Sequence, residues 1–179
     1  MNSLNRPEFL LNNKTFQTIY GRNLLHELNI IIPNETLIVT MEDLWDDFSN
    51  FFTKNVQVHL VKNLDINTLE IDYEKTKNFN AVIGIGGGQA LDTAKFFSWK
   101  SDKKLFQVPT SMSVNAAFGH RFASRIDGNI NYIGWTVPEA VYVDYDIIKK
   151  APKIFNRSGI CEILCYHTAH LDWKYADKI

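Results

Sequence analysis

An α/β fold, with a mostly parallel sheet covered by helices on both faces, is what three features of this chain predict. Short β-branched apolar runs alternate with amphipathic helical stretches, a glycine cluster stands where one run gives way to a helix, and a turn signal lies between the last two runs. Alternation of this kind implies parallel strands, because a parallel pair needs a long crossover connection and a helix supplies it.

The first run, Thr36-Leu-Ile-Val-Thr40, has the composition of a buried strand. From Glu42 the apolar positions switch to helical spacing through Leu44, Trp45, Phe48, Phe51 and Phe52. Val56 to Leu60 alternates again, and Ile66 to about Thr76 carries a weaker helical period. Ala81-Val-Ile-Gly-Ile85 reads as a third buried strand. It enters Gly86-Gly87-Gly88, after which Gln89 to Trp99 sets Ala90, Leu91, Ala94 and Phe97 on one helical face. Leu105 to Val108 and Ala140 to Val143 supply two further strands, and Ile126-Asp-Gly-Asn129 between them has the chemistry of a hairpin turn. The arrangement is Rossmann-like. From Ala151 the pattern changes, through Pro152 and Ser158-Gly159, to a helical stretch from about Cys161 to Ala176 rich in Glu162, Tyr166, His167, His170, Asp172 and Lys174. Residues 1–150 are therefore expected to form the α/β unit, and residues 151–179 to open with the first helix of an all-helical domain.

A chain of 179 residues that is 45% hydrophobic is large enough to bury one ordinary core. Its formal net charge of -1, with 22% charged residues, argues against a nucleic-acid partner, which would need a concentrated basic face. No uncharged apolar run approaches the roughly 20 residues of a membrane helix, and the N-terminus has no signal-peptide pattern, so a cytoplasmic protein without a membrane partner is expected. Cys161 and Cys165, four apart on a helix, read as thiols of a reducing compartment.

The glycine cluster bears on function most directly. Gly84-Ile-Gly86-Gly87-Gly88 follows a strand and opens a helix, where bare backbone N–H groups and the helix N-terminus can receive a pyrophosphate. Its spacing departs from the usual dinucleotide fingerprint, and a structural turn requiring positive φ is the alternative reading. Asp92, in the first turn of the following helix, either caps the loop or meets the ligand. Thr110, Ser111 and Ser113 follow the next strand and fall at the same carboxyl edge of the sheet.

Four ordered blocks carry a resemblance. Gly86-Gly-Gly-Gln-Ala-Leu-Asp-Thr-Ala-Lys95, Val108-Pro-Thr-Ser-Met-Ser113, Val143-Asp-Tyr-Asp-Ile-Ile148 with Ala151-Pro152, and Thr168-Ala169 with Asp172-Trp173-Lys174 resemble the iron-containing alcohol dehydrogenase superfamily. The likeness is strongest to sn-glycerol-1-phosphate and glycerol dehydrogenases, with dehydroquinate synthases more distant. It implies an N-terminal domain binding NAD or NADP, a C-terminal helical domain, and a divalent metal (zinc, nickel or iron) polarising the substrate oxygen during hydride transfer to or from a CH–OH carbon. By motif match, Gly86, Gly87, Gly88 and Asp92 would hold the pyrophosphate loop, Thr110 and Ser113 would meet the cofactor, and Glu42 would be a weaker candidate for the adenosine ribose. Glu162 stands where the dehydrogenases place a metal-ligating aspartate and the dehydroquinate synthases a glutamate; His167 and His170 share its helix. Asn115 stands where the family has an aspartate that contacts substrate, and Gly119-His120 replaces a Ser-Pro pair. The function implied is a metal-dependent NAD(P)-linked oxidoreductase of polyols or polyol phosphates, inactive as this chain alone. A dehydroquinate synthase-like cyclising lyase and a non-catalytic nucleotide-binding module are the alternatives. A small-molecule substrate is expected, with homo-oligomerisation or association through apolar residues of the C-terminal helix.

Overall fold

The computed structural model describes residues 15–178. Six parallel strands form one sheet: β1 (Gln17–Gly21), β2 (Thr36–Thr40), β3 (Val56–Leu60), β4 (Ala81–Gly86), β5 (Lys104–Pro109) and β8 (Ala140–Asp144), in the spatial order β1-β8-β5-β4-β2-β3. A separate antiparallel hairpin, β6 (Phe122–Ile126) and β7 (Asn129–Ile133), lies between β5 and β8 in the chain and turns at Asp127-Gly128 as the sequence predicts. The helices are α1 (Leu24–Ile31), α2 (Glu42–Phe48) continued by a 3₁₀ turn (Ser49–Phe51), α3 (Ile66–Lys75), α4 (Gly88–Ser101), α5 (Tyr145–Lys150) and α6 (Lys153–Ala176).

Both faces of the sheet are covered, which is why the central strands read as unbroken apolar runs. On one face Ile38, Ile83, Ile85, Phe106 and Val108 meet Leu24, Leu25 and Leu28 of α1 and Phe48 of α2. On the other, Leu37, Val39, Val82 and Leu105 meet Leu69 of α3, Ala90, Ala94, Phe96 and Phe97 of α4, and Phe122 of the hairpin. Asp144, at the end of β8, ties two elements to the sheet. Its buried carboxylate accepts from the backbone N–H of Leu24 (2.7 Å), Asp146 (2.9 Å) and Ile147 (3.4 Å), so it anchors the starts of both α1 and α5.

The sequence reading missed β1, α1 and α5, and started the last helix eight residues late. Among the described residues β1 pairs only with β8, at one edge of the sheet. An edge strand half open to water has no continuous apolar signal. The glycine turn thus follows the fourth strand among the described residues, one later than the sequence suggested. Helix α6 crosses the loop after β5 at Gly159, where a Cβ would run into the carbonyl oxygen of Met112. Asn156 secures that crossing: its Oδ1 accepts from the Met112 N–H at 3.0 Å and its Nδ2 donates to Ile148 O at 3.0 Å. Beyond it the helix carries exposed apolar side chains, including Leu164, Leu171 and Trp173.

Candidate functional site

The chain leaves β2 through α2 toward β3, and leaves β4 through α4 toward β5 on the other side. A crevice between diverging connections at the carboxyl ends of parallel strands is where open α/β sheets bind ligands. The glycine turn stands at that point, and two cavities flank it.

One, of about 400 Å³, is lined by Met41, Asp43 and Leu44 after β2, Gly87 of the turn, Thr110, Ser111 and Ser113 after β5, and Lys150, Pro152 and Phe155 on the α5 side. The other, of about 550 Å³, is lined by Gly88, Gln89, Asp92 and Lys95 of α4, by Asn115, Gly119, His120 and Arg121 of the loop after β5, by Tyr132 and Trp135, and by Glu162 of α6.

The three glycines meet different demands. Gly86 is buried at φ +150°, and a Cβ there would stand 2.8 Å from the Ala90 Cβ, so the turn itself requires it. Gly87 has an ordinary extended backbone (φ -85°, ψ -168°), and a Cβ on it would meet nothing within 4 Å. Its bareness therefore serves the space in front of it. Gly87 is also the N-cap of the 14-residue α4, and no side chain caps that helix. The first-turn N–H groups and the positive end of the helix dipole remain directed at the crevice. Thr110 is only 9% exposed; its backbone N–H donates to Gly86 O at 3.0 Å, while its hydroxyl has no partner among the described residues. A hydroxyl on a cavity wall without a protein partner is suited to a ligand oxygen. Ser111 and Ser113 hydrogen-bond to each other through their hydroxyls at 3.0 Å. The donors and the open backbone fit the pyrophosphate and ribose of a dinucleotide.

Asp92 turns away from this cavity into the larger one. Lys95 Nζ donates to Asp92 Oδ1 at 2.8 Å and to Arg121 O at 3.1 Å, with the Lys95 side chain 1% exposed and that of Asp92 10%. Burial pushes the Asp92 carboxyl up from its ordinary pKa and the Lys95 ammonium down, and the attraction between the two opposes both shifts. The pair fixes the loop after β5 against α4. Its i,i+3 spacing was visible in the sequence, but nothing local indicates that both groups are buried. Burial and the nearby Lys95 charge lower the His120 pKa, and the Arg121 guanidinium lies 5.7 Å from the Trp135 ring centroid. Lys95 and Arg121 are the cations of the larger cavity's lining, set against the carboxylates of Asp92 and Glu162, and the lowered pKa leaves His120 a neutral imidazole beside them.

The other site candidates fall as follows. Thr110, Ser113 and Gly87 share the smaller cavity; Gly88, Asp92, Asn115 and Glu162 share the larger. Asn115 Nδ2 donates to the Tyr166 hydroxyl at 3.1 Å, joining the loop to α6. Glu42 is exposed in the first turn of α2 and lines neither cavity; the adjacent Asp43 does. A catalytic metal takes about three protein ligands. Among the described residues no group of three or more His, Cys, Asp or Glu side chains is placed to hold a metal ion, and His167 and His170 form no such group with Glu162. These residues do not fit a metal centre by themselves. Among the described residues no helix is long and apolar enough to cross a membrane.

Comparison with known proteins agrees with this geometry. The family model described as iron-containing alcohol dehydrogenase matches residues 16–152. A glycerol-1-phosphate dehydrogenase [NAD(P)+] of Methanospirillum hungatei is 33% identical over 116 residues, covering 65% of this chain and 32% of that protein. The enzyme of the same name from Sulfolobus acidocaldarius is 29% identical over 182 residues, covering 93% of this chain and 50% of that protein. The chain thus spans from about a third to half of these relatives. Among solved structures, a probable glycerol dehydrogenase from Sinorhizobium meliloti superposes with a TM-score of 0.74 at 19% identity over 82% of this chain and 44% of that one, a likeness of fold. A family model that matches most of the chain, on a parallel sheet whose glycine turn opens a helix at the switch point, shows that this chain belongs to the iron-containing alcohol dehydrogenase family.

Proposed function

We propose that this chain is the dinucleotide-binding part of an NAD(P)-linked oxidoreductase of the glycerol-1-phosphate dehydrogenase type, interconverting a polyol phosphate and its ketone. The observation that carries this reading is Gly87, a residue with ordinary backbone angles and open space where its side chain would be, at the uncapped start of a long helix. Residues 15–150 form the nucleotide-binding unit, and α6 begins the second wall of the substrate cleft.

In this reading the pyrophosphate lies against the N–H groups of the α4 first turn, and the Thr110 and Ser113 hydroxyls donate to phosphate, ribose or carboxamide oxygens. The bound nicotinamide supplies the hydride acceptor or donor. Asn115 faces the larger cavity and orients a substrate hydroxyl; its amide cannot take up a proton at neutral pH, so it is no general base. Arg121, with the neutral His120 imidazole beside it, offers N–H donors to a substrate phosphate in this cavity. No metal-dependent step is assigned to these residues, and turnover by the chain alone is not expected.

Titration of the purified chain with NADH and NADPH, read by nicotinamide fluorescence, tests the proposal. Saturable binding of at least one is expected; saturable binding of neither overturns it. Glu162 on the wall of the larger cavity favours a second reading, a cyclising lyase similar to dehydroquinate synthase. Oxidation of glycerol 1-phosphate by a longer chain containing these residues would exclude that reading.

A further inference from the structure

Helix α6 meets the α/β unit along one side. Phe155 and Glu162 reach the two cavities, Asn156 and Gly159 meet the loop at Met112, and Tyr166 accepts from Asn115. At about 100° per residue these positions fall within roughly 120° of one another around the helix axis. On the far side Arg157, Cys161, Leu164, Thr168, Leu171 and Tyr175 are all exposed. Their spacing is four, three, four, three and four residues. That is the 3.5-residue repeat with which two helices keep one seam in contact, and Leu164, Leu171 and Tyr175 give it an apolar centre and end.

The charges on this seam indicate what covers it. Arg157 stands at its start and Asp172 flanks its end, and among the described residues neither has an ion-pair partner. Fifteen residues of helix, about 22 Å, separate them, so they cannot meet within one chain. In a second copy running antiparallel, Leu164 lies opposite Thr168, Cys161 opposite Leu171, and Arg157 opposite Tyr175 with Asp172 one turn away. Two-fold symmetry makes each of these contacts twice. A parallel pair would instead set Arg157 against its own copy. The α/β units do not obstruct the pairing, because each lies on the side of its helix away from the seam.

We infer that α6 pairs antiparallel with α6 of a second copy of this chain through the Arg157–Tyr175 seam. The contact is independent of the cofactor and leaves both cavities' walls in place. The seam is about 27 Å long, short for a permanent dimer, so monomer and dimer exchange with a dissociation constant on the order of 10 μM.

Sedimentation equilibrium of the purified chain from about 1 to 200 μM tests this. The unaltered chain should pass from monomer to dimer across that range. Leu164→Glu/Leu171→Glu should remain monomeric, a loss of about 100-fold or more in affinity. Ile163→Gln/Trp173→Gln, exposed residues of the same helix outside the seam, should dimerise as the unaltered chain does. Arg157→Glu and Asp172→Arg should each weaken the dimer by about tenfold, and their combination should restore it, since only the antiparallel pairing brings these positions together. A chain that stays monomeric at 200 μM leaves this face to a different partner and overturns the inference. So does dimerisation by the Leu164→Glu/Leu171→Glu chain, or a charge swap that restores nothing. Thermal melting at 1 μM, where all variants are monomers, should give the same Tm within about 2 °C and so excludes misfolding as the cause.

Discussion

Replacing Gly86 and Gly87 one at a time by alanine separates the two demands on the glycine turn. At Gly86 a methyl group meets a backbone held at φ +150° and the Ala90 Cβ at 2.8 Å. A side chain in such a sparsely populated backbone region costs about 1–3 kcal/mol, and the steric conflict with the first turn of α4 adds to it. Taking about 2–3 kcal/mol in total, and roughly 2–4 °C per kcal/mol for a domain of this size, Tm should fall by about 5–10 °C. At Gly87 the same methyl meets open space and an extended backbone that alanine adopts freely. Stability there should be unchanged or rise by about 0.4–1 kcal/mol, because alanine restricts the unfolded chain. The methyl would, however, occupy the room a pyrophosphate needs, and NADH affinity should drop by about tenfold or more. Thermal unfolding followed by circular dichroism and NADH fluorescence titration read the two effects separately. A Gly87→Ala chain as destabilised as Gly86→Ala, or one that binds NADH as tightly as the unaltered chain, would refute the division of labour.

Three other predictions follow from buried polar groups. Asp92→Asn or Lys95→Met leaves the remaining member of a buried pair without its partner and should cost about 3–5 kcal/mol, whereas the double variant should cost less than the two singles together; additive losses in urea unfolding would show that the pair is not coupled. Asp144→Ala removes the acceptor shared by the Leu24, Asp146 and Ile147 N–H groups, and about 2–3 kcal/mol should be lost; a change below about 0.5 kcal/mol would mean that the helices hold their starts without it. Burial lowers the pKa of His59 from 6.5, with Lys62 adding to the shift and Asp72 opposing it. The folded state thus favours the neutral ring, so this contribution is fully present above pH 6.5 and is lost as pH falls through the lowered value. Tm should drop between pH 7.5 and 5.5, and His59→Gln should flatten that slope; an identical slope in the variant would assign the effect elsewhere.

The outlines of the sheet were legible because each central strand is buried on both faces and carries an apolar run that needs no partner to be recognised. Thr36–Thr40 and Ala81–Gly86 are of this kind, with every residue buried. β1 was not legible, because its register against β8 places Gln17 and Tyr20 in solvent and breaks the pattern. Helix α6 was read short. Its first turns, Lys153–Ile160, contain Ser158-Gly159, which taken alone suggest a break, whereas Gly159 fits there because α6 must pass close to Met112.

The sequence by itself determined the alternating α/β order, the hairpin turn, the placement of a glycine cluster between strand and helix, and the family resemblance, all properties of residues near one another in the chain. Only the tertiary structure decided which cavity each candidate faces: Gly87, Thr110 and Ser113 on one side of the turn, and Gly88, Asp92, Asn115 and Glu162 on the other. It also put Asp43 in place of Glu42 on the cavity wall, and buried Lys95 against Asp92. The reason is that neighbours at the sheet's carboxyl edge are set by strand order, which brings residues after β2, β4 and β5 together. Separation along the chain carries no record of that order.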